Sequence, residues 1–156
     1  MSKQKYIILV DIDGTIADCS ERAKKYITDL ETPDWDAFYE ACSEDKPIPS
    51  IIQLVEELST YYDIIFCSGR RESVKEKTIA WMKRHLVNTQ YTPLHMLFRK
   101  DGDTRHDTEV KPELLNALLA EHPEYSICYI LEDRNSMVAK WRELGYTCLQ
   151  VADGNF

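Results

Sequence analysis

The run Ile7-Ile8-Leu9-Val10-Asp11-Ile12-Asp13-Gly14-Thr15 near the amino end constrains the fold more than any other stretch. Its apolar half reads as a strand buried on both faces, the kind that occupies the middle of a parallel sheet. Such a strand delivers the residues at its carboxyl end to the crevice outside the sheet's edge, where open α/β sheets place their chemistry. Here those residues are a pair of carboxylates spaced two apart. Residues i and i+2 of a strand point the same way. Asp11 and Asp13 therefore both reach the crevice if the strand stays regular, and a turn beginning at Gly14 lets their roles diverge. Two negative charges so placed are costly unless a cation or a shared proton joins them. A hard divalent cation such as Mg2+, held by one or two carboxylates plus substrate phosphate oxygens, answers that need.

The rest of the chain supplies a sheet for this strand. Strands are predicted at residues 6–11, 63–67, 94–98, 126–131 and 146–151. Between them apolar residues recur at helical spacing: Ile51, Ile52, Leu54, Val55 and Leu58 after Pro49, then Val74, Ile79, Trp81, Met82 and Leu86. A third helix opens with Pro112 at its first turn and carries Leu114, Leu115, Leu118 and Leu119. A fourth, over 134–143, carries Met137, Val138 and Trp141 and stops at Gly145. Strands alternating with helices predict an α/β fold: a three-layer, Rossmann-like arrangement around a parallel sheet of about five strands with right-handed crossovers. Residues 16–47 stand outside this alternation. They hold a charged helical stretch from Glu21 to Leu30 and then Trp35, Phe38 and Tyr39, and read as a small helical cap over the crevice. Those aromatics either pack or line a substrate entrance, since aromatic faces stack on bases.

A length of 156 residues suits a single domain over 1–156 with a sizeable core. The composition, 44% hydrophobic and 29% charged, is that of a soluble globular chain. No apolar stretch approaches the roughly 18 residues that span a bilayer, and no secretory segment opens the sequence. The five cysteines show no metal-ligand spacing, and Cys67, Cys128 and Cys148 lie in apolar runs as small hydrophobes, so a reducing, cytoplasmic setting is expected. A net charge of −8 excludes the general basic footprint of a protein that coats nucleic acid. Cations do cluster locally: Arg70, Arg71, Arg99, Lys100, Arg105 and Lys111 fall between the second predicted strand and the helix after the third. Such a cluster suits a phosphate end or a mononucleotide. The four histidines share no ligand spacing.

Chemistry-bearing residues fall at the ends of successive strands. Asp11 and Asp13 follow the first, Ser68-Gly69-Arg70 the second, Asp107 and Lys111 the third, and Glu132-Asp133-Arg134 the fourth. Each is ordinary alone. In that order they combine a carboxylate metal site, a hydroxyl and turn amides for phosphate, and a lysine to offset its charge.

In this arrangement the chain resembles the haloacid dehalogenase (HAD) superfamily of phosphatases, and within it the 3′-phosphatase domains of phage-type polynucleotide kinase-phosphatases. The second likeness rests on Ser68-Gly69-Arg70, the Gly102 to Arg105 run, Asp107 to Lys111, Glu132-Asp133-Arg134 and the tail from Trp141 to Ala152. The resemblance implies that Asp11 is a nucleophile forming an aspartyl-phosphate and that Asp13 is the general acid and base. It implies Mg2+ at Asp11, the Asp13 backbone carbonyl and Asp133, with Glu132 in the outer shell. Ser68 and Lys111 would hold the transferring oxygens. Thr15, Arg22, Gly69, Arg70, Arg105 and Asp107 would serve the substrate, Asp107 by orienting Lys111 or a nearby arginine. The absence of a GxxxxGK[ST] run points to a stand-alone phosphatase without the kinase half, with a separate kinase or ligase as a possible partner. Host cytoplasm is the expected location if the chain is phage-encoded. Two alternatives remain at this level. One is a 5′(3′)-nucleotidase acting on free mononucleotides, which the acidic charge favours. The other is a non-enzymatic, receiver-like phosphoacceptor.

Overall fold

The computed structural model describes residues 3–87 and 96–154. Its centre is a fully parallel sheet of five strands: β1 (Lys5–Val10), β4 (Asp63–Arg71), β5 (Met96–Arg99), β6 (Tyr125–Arg134) and β7 (Cys148–Gly154), in the order β5-β4-β1-β6-β7. Two very short strands, β2 (Ala17–Asp18) and β3 (Lys46–Pro47), pair antiparallel and pinch off the base of the excursion between them.

Alternation along β1 divides the core. Ile8 and Val10 join Phe66, Ile52, Val55, Trp81 and Met82 on one face, covered by α3 (Pro49–Leu58) and α4 (Lys75–His85). Ile7 and Leu9 join Ile65, Leu115, Ile130, Met137 and Trp141 on the other, covered by α5 (Asp107–Glu121) and α6 (Asn135–Glu143). The chain winds from β1 outward through β4 and β5, then returns to the opposite side of β1 for β6 and β7. That reversal makes the carboxyl end of β1 a topological switch point, where neighbouring loops part and leave a crevice. This is the three-layer, Rossmann-like arrangement that the alternation of strands and helices predicts.

The excursion after β1 is helical. It comprises α1 (Ser20–Ala23), which widens into a π turn over Lys24–Thr28, and α2 (Trp35–Glu40) with its short continuation to Glu44. Asp34 caps α2 by accepting from the Ala37 amide at 3.0 Å.

Of the strand predicted at 94–98, residues 94 and 95 lie outside the described residues, and the described part runs as Met96–Arg99. One expectation needs correction: the third long helix begins at Asp107, so Pro112 lies inside it. His106 supplies the cap, its ring nitrogen accepting from the Thr108 amide at 3.3 Å. Histidine is a weak cap signal, whereas proline is a strong first-turn signal, and the stronger one misplaced the start. Lys111 consequently sits in the second turn of α5, not at its first residue.

Among the described residues no helix is long and apolar enough to cross a membrane. All five cysteines are unpaired.

Candidate active site

Asp11 leaves the end of β1 with its amide bonded to the Leu131 carbonyl on β6 at 3.0 Å, so its position is fixed by sheet pairing. Ile12 turns inward and is fully buried. Gly14 then takes a φ of +79°, and its amide donates to the Ala17 carbonyl at 2.8 Å, closing a tight turn. The turn leaves Asp13 partly open, at 18% side-chain exposure, while Asp11 is buried.

Lys111 reaches from α5 to the Asp11 Oδ1 at 2.6 Å and to the Glu132 Oε2 at 2.8 Å. Thr15 donates to the other Asp11 oxygen at 3.2 Å. Glu132 also accepts from the amides of Asp133 and Arg134, at 3.2 and 3.3 Å. Asp11, Glu132 and Asp133 each offer an oxygen within 4.8 Å of the others. Three buried carboxylates against one ammonium leave an excess of two negative charges. Burial, then Glu132, pushes the Asp11 carboxyl up to about 8. Burial, then Asp11, pushes Asp133 up to about 7. Lys111 is held well above its ordinary value by Asp11 and Glu132 despite the cost of burial. The Asp133 Oδ1 is buried with no hydrogen-bond partner among the described residues. An all-oxygen donor set, an excess charge of two and an orphaned carboxylate oxygen fit a hard dication such as Mg2+. Glycine keeps that site open, because a Cβ on Gly14 would lie 2.0 Å from the Asp133 Oδ2. Gly14→Ala is therefore expected to weaken Mg2+ binding at least about tenfold by calorimetric titration while adding backbone strain.

Asp13 faces different company. Arg70 donates to it from Nε at 3.1 and 3.2 Å and from Nη2 at 2.6 Å, and Arg22 donates from Nη2 at 2.6 Å. Both guanidiniums also grip buried Asp45: Arg22 from Nε at 2.8 Å and Nη2 at 2.6 Å, Arg70 from Nη2 at 3.0 Å. Their remaining nitrogens donate to the Phe38 carbonyl and the Thr78 hydroxyl. Against the cost of burial, Arg70 and Arg22 hold the Asp13 carboxyl well below the usual range. Arg22 and Arg70, expected to serve the substrate, bond Asp13 and Asp45 through their guanidiniums in this structure. They set the charge of Asp13.

Ser68 is fully buried in the second half of β4, where its pairing with β5 becomes irregular, and its Oγ accepts from the Arg70 amide at 3.1 Å. Asp107 is bonded by Arg99 and, at 3.0 Å, by Arg134, and the Lys111 ammonium acts on it as a nearby charge. Gly69 lets Asp107 come close, because a Cβ there would lie 2.5 Å from the Asp107 Oδ1. Arg105 is half exposed and spends all its nitrogens on Asp103 and Glu113, where it braces the loop before α5.

Sequence reasoning missed Asp45, Thr78 and Arg99. Asp45 is a lone acid in the excursion, and nothing local marks it as the counter-ion of two arginines 23 and 25 residues away. Arg99 appeared only as one of six clustered cations, although its Nε bonds the Gly69 carbonyl at 3.1 Å and ties the phosphate-side turn to Asp107.

A family model described as polynucleotide kinase PNKP phosphatase domain matches residues 5–156. Among solved structures, a chain of the Pnkp1/Rnl/Hen1 complex superposes with a TM-score of 0.74 at 25% identity, covering 98% of this chain and 47% of that one. The Class C acid phosphatase from Bacillus anthracis with tungstate bound is similar at a TM-score of 0.69 and 18% identity, covering 99% of this chain and 68% of that one. A haloacid dehalogenase-like hydrolase from Streptococcus pneumoniae is similar at 0.62 and 18% identity, covering 94% and 84%. The last two are likenesses of fold. The chain spans less than half the length of the Pnkp1/Rnl/Hen1 chain it matches.

Proposed function

Because the chain belongs to the family of polynucleotide kinase PNKP phosphatase domains, and so is a HAD-type phosphatase, we propose that it removes 3′-phosphates from polynucleotide ends in a Mg2+-dependent reaction. We take it as one domain, acting through Asp11, Asp13, Ser68 and Lys111. The observation that carries the reading is the Lys111 bridge between Asp11 and Glu132, beside an Asp133 oxygen that has no partner among the described residues.

Asp11 attacks phosphorus: a bond forms from its carboxylate oxygen, and the bond from phosphorus to the sugar oxygen breaks. Asp13 gives that oxygen a proton and later takes one from the water that attacks the aspartyl-phosphate, freeing Asp11 and inorganic phosphate. The arginine grip favours ionised Asp13, the form needed for the second step. Protonation for the first step requires the incoming phosphate to compete for the same guanidiniums. Lys111 and Ser68 hold the transferring oxygens, and losing one such contact typically costs on the order of 3 kcal/mol of barrier. Asp11, Asp133 and the Asp13 carbonyl would hold Mg2+, with Glu132 behind them; when bound, it neutralises the carboxylates and stabilises transition-state charge. A 3′-hydroxyl end is what a joining reaction consumes, so a separate ligase or kinase is the class of partner this product suits.

The raised carboxyls give a pH test. Between the ordinary carboxylate range and pH 8 the folded protein binds more protons at Asp11 and Asp133 than the unfolded chain does, so metal-free stability falls as pH rises through that window. Mg2+ binds the ionised forms. The rise in Tm on adding Mg2+ is therefore expected to be larger at pH 8 than at pH 5, measured by calorimetry on the same preparation. Equal shifts would contradict the assigned ligands.

The direct test is phosphate release with Mg2+ from a 3′-phosphorylated oligonucleotide, 3′-dTMP and 5′-dTMP side by side, with Asp11→Asn as blank. Preference for the oligonucleotide supports the proposal. Preference for 5′-dTMP moves the chain to the nucleotidases and leaves its chemistry standing.

A further inference from the structure

The leaving oxygen must lie within reach of Asp13, so the nucleoside attached to it extends outward from that carboxylate. Inward of Asp13 the space is filled by Arg22, Arg70 and Asp45, all buried. Beside this group lies α2. That helix is tied to the site by Arg22, which donates to the Phe38 carbonyl at 2.9 Å and lies over the Phe38 ring at 4.1 Å. Phe38 is thereby core.

Trp35 and Tyr39, four residues apart, share one side of the helix, with ring centroids 6.3 Å apart and planes inclined by 32°. Trp35 is 45% exposed, unlike the other two tryptophans, Trp81 and Trp141, at 0% and 1%. Arg71, next in chain to the arginine that grips Asp13, lies over the Tyr39 ring at 5.0 Å and pairs with the exposed carboxylate of Asp36. Its Nε is buried without a partner among the described residues. Burial, then the charge of Asp107, raises the Tyr39 hydroxyl, and Asp13 acts on it in the same direction.

An exposed Trp35 ring, flanked by a half-buried Tyr39 whose face carries the Arg71 cation, matches the chemistry of single-stranded nucleic acid: bases stack on the exposed ring and the backbone meets the cation. An overall charge of −8 gives no general attraction for the polymer, so grip on it has to come from such a local device. Resting on the phosphatase reading above, we propose that Trp35 and Tyr39 form a shelf on which bases of an unpaired 3′ end stack, with Arg71 taking the internucleotide phosphate. Asp36 then yields its exposed ion pair, a contact of little worth in water. Duplex ends are poorer substrates, because their bases are already stacked.

The test uses the full chain. With Asp11→Asn, a 3′-phosphorylated single strand is expected to quench tryptophan emission in a saturable way, and a blunt duplex to quench it far less. Adding Trp35→Phe removes the signal. In the active protein, Trp35→Ala with Tyr39→Leu lowers the ratio of kcat/KM for the oligonucleotide to that for p-nitrophenyl phosphate by about tenfold or more, since stacking contributes roughly 1–3 kcal/mol per base. Tyr39→Phe, which keeps the ring, preserves the ratio. An unchanged ratio in the double variant, or turnover of the single strand with no quenching, overturns the shelf and leaves the phosphatase standing. Saturable quenching without phosphate release keeps the shelf and overturns the 3′-phosphatase reading. Equal quenching by the duplex overturns the preference for unpaired ends. Silence in both assays overturns both.

Discussion

Asp11→Asn is expected to reduce phosphate release by at least about four orders of magnitude, the scale seen when a covalent nucleophile is removed, while the fold stays intact. The side chain keeps its shape, and the change takes one negative charge out of a cluster in which three buried carboxylates face one ammonium. Burial and Glu132 already disfavour the Asp11 anion, so without metal the variant's Tm at pH 8 should equal or exceed that of the parent. Lost activity together with lost stability would mean that Asp11 is mainly a structural counter-ion of Lys111. Parallel phosphate-release and calorimetric measurements separate the two.

Arg70→Ala is expected to carry the largest cost in stability. Its guanidinium is fully buried and divides its donors among Asp13, Asp45 and Thr78. Removing one member of a buried ion network leaves charges unpaired and typically costs roughly 3–5 kcal/mol. For a chain of this size that corresponds to a fall in Tm of roughly 6–20 °C. Arg70→Lys should recover only part of it, because an ammonium cannot reproduce the planar fork that contacts Asp13 through two nitrogens. Arg105→Ala removes as many ion pairs on paper, but those are solvent-exposed and should cost far less. Equal losses from the two substitutions, measured by chemical denaturation, would contradict the burial-based ranking.

Much of this architecture was legible in the sequence because it depends on periodicity and chain order. The apolar run of β1 divides cleanly between two core faces, Ile8 and Val10 on one and Ile7 and Leu9 on the other, as a central strand requires. Residues at strand ends converge because a parallel sheet delivers every carboxyl end to one edge; that is why chain order alone groups Asp11, Ser68, Lys111 and Asp133. The hidden part depends on long-range pairing of single residues. Asp45 carries no local mark, yet it decides that Arg22 and Arg70 face inward and hold Asp13 ionised. The aromatic excursion was ambiguous for a similar reason. Only packing shows that Phe38 is core while Trp35 stays in solvent. The start of α5 was misread because a proline signal outweighed a histidine cap, which shifted Lys111 within its helix without changing the partner it reaches.

The central claim is that Asp11 carries the phosphoryl group and Asp13 moves the protons. The measurement that reaches it most directly uses Asp13→Asn with Mg2+ and p-nitrophenyl phosphate, whose leaving group departs without an acid. The account predicts a burst of p-nitrophenol equal to the enzyme present, then a stall. After an acid quench, mass spectrometry should find one phosphoryl group on the peptide bearing Asp11. A burst with the phosphoryl group on another residue, or steady turnover with neither burst nor adduct, would contradict it.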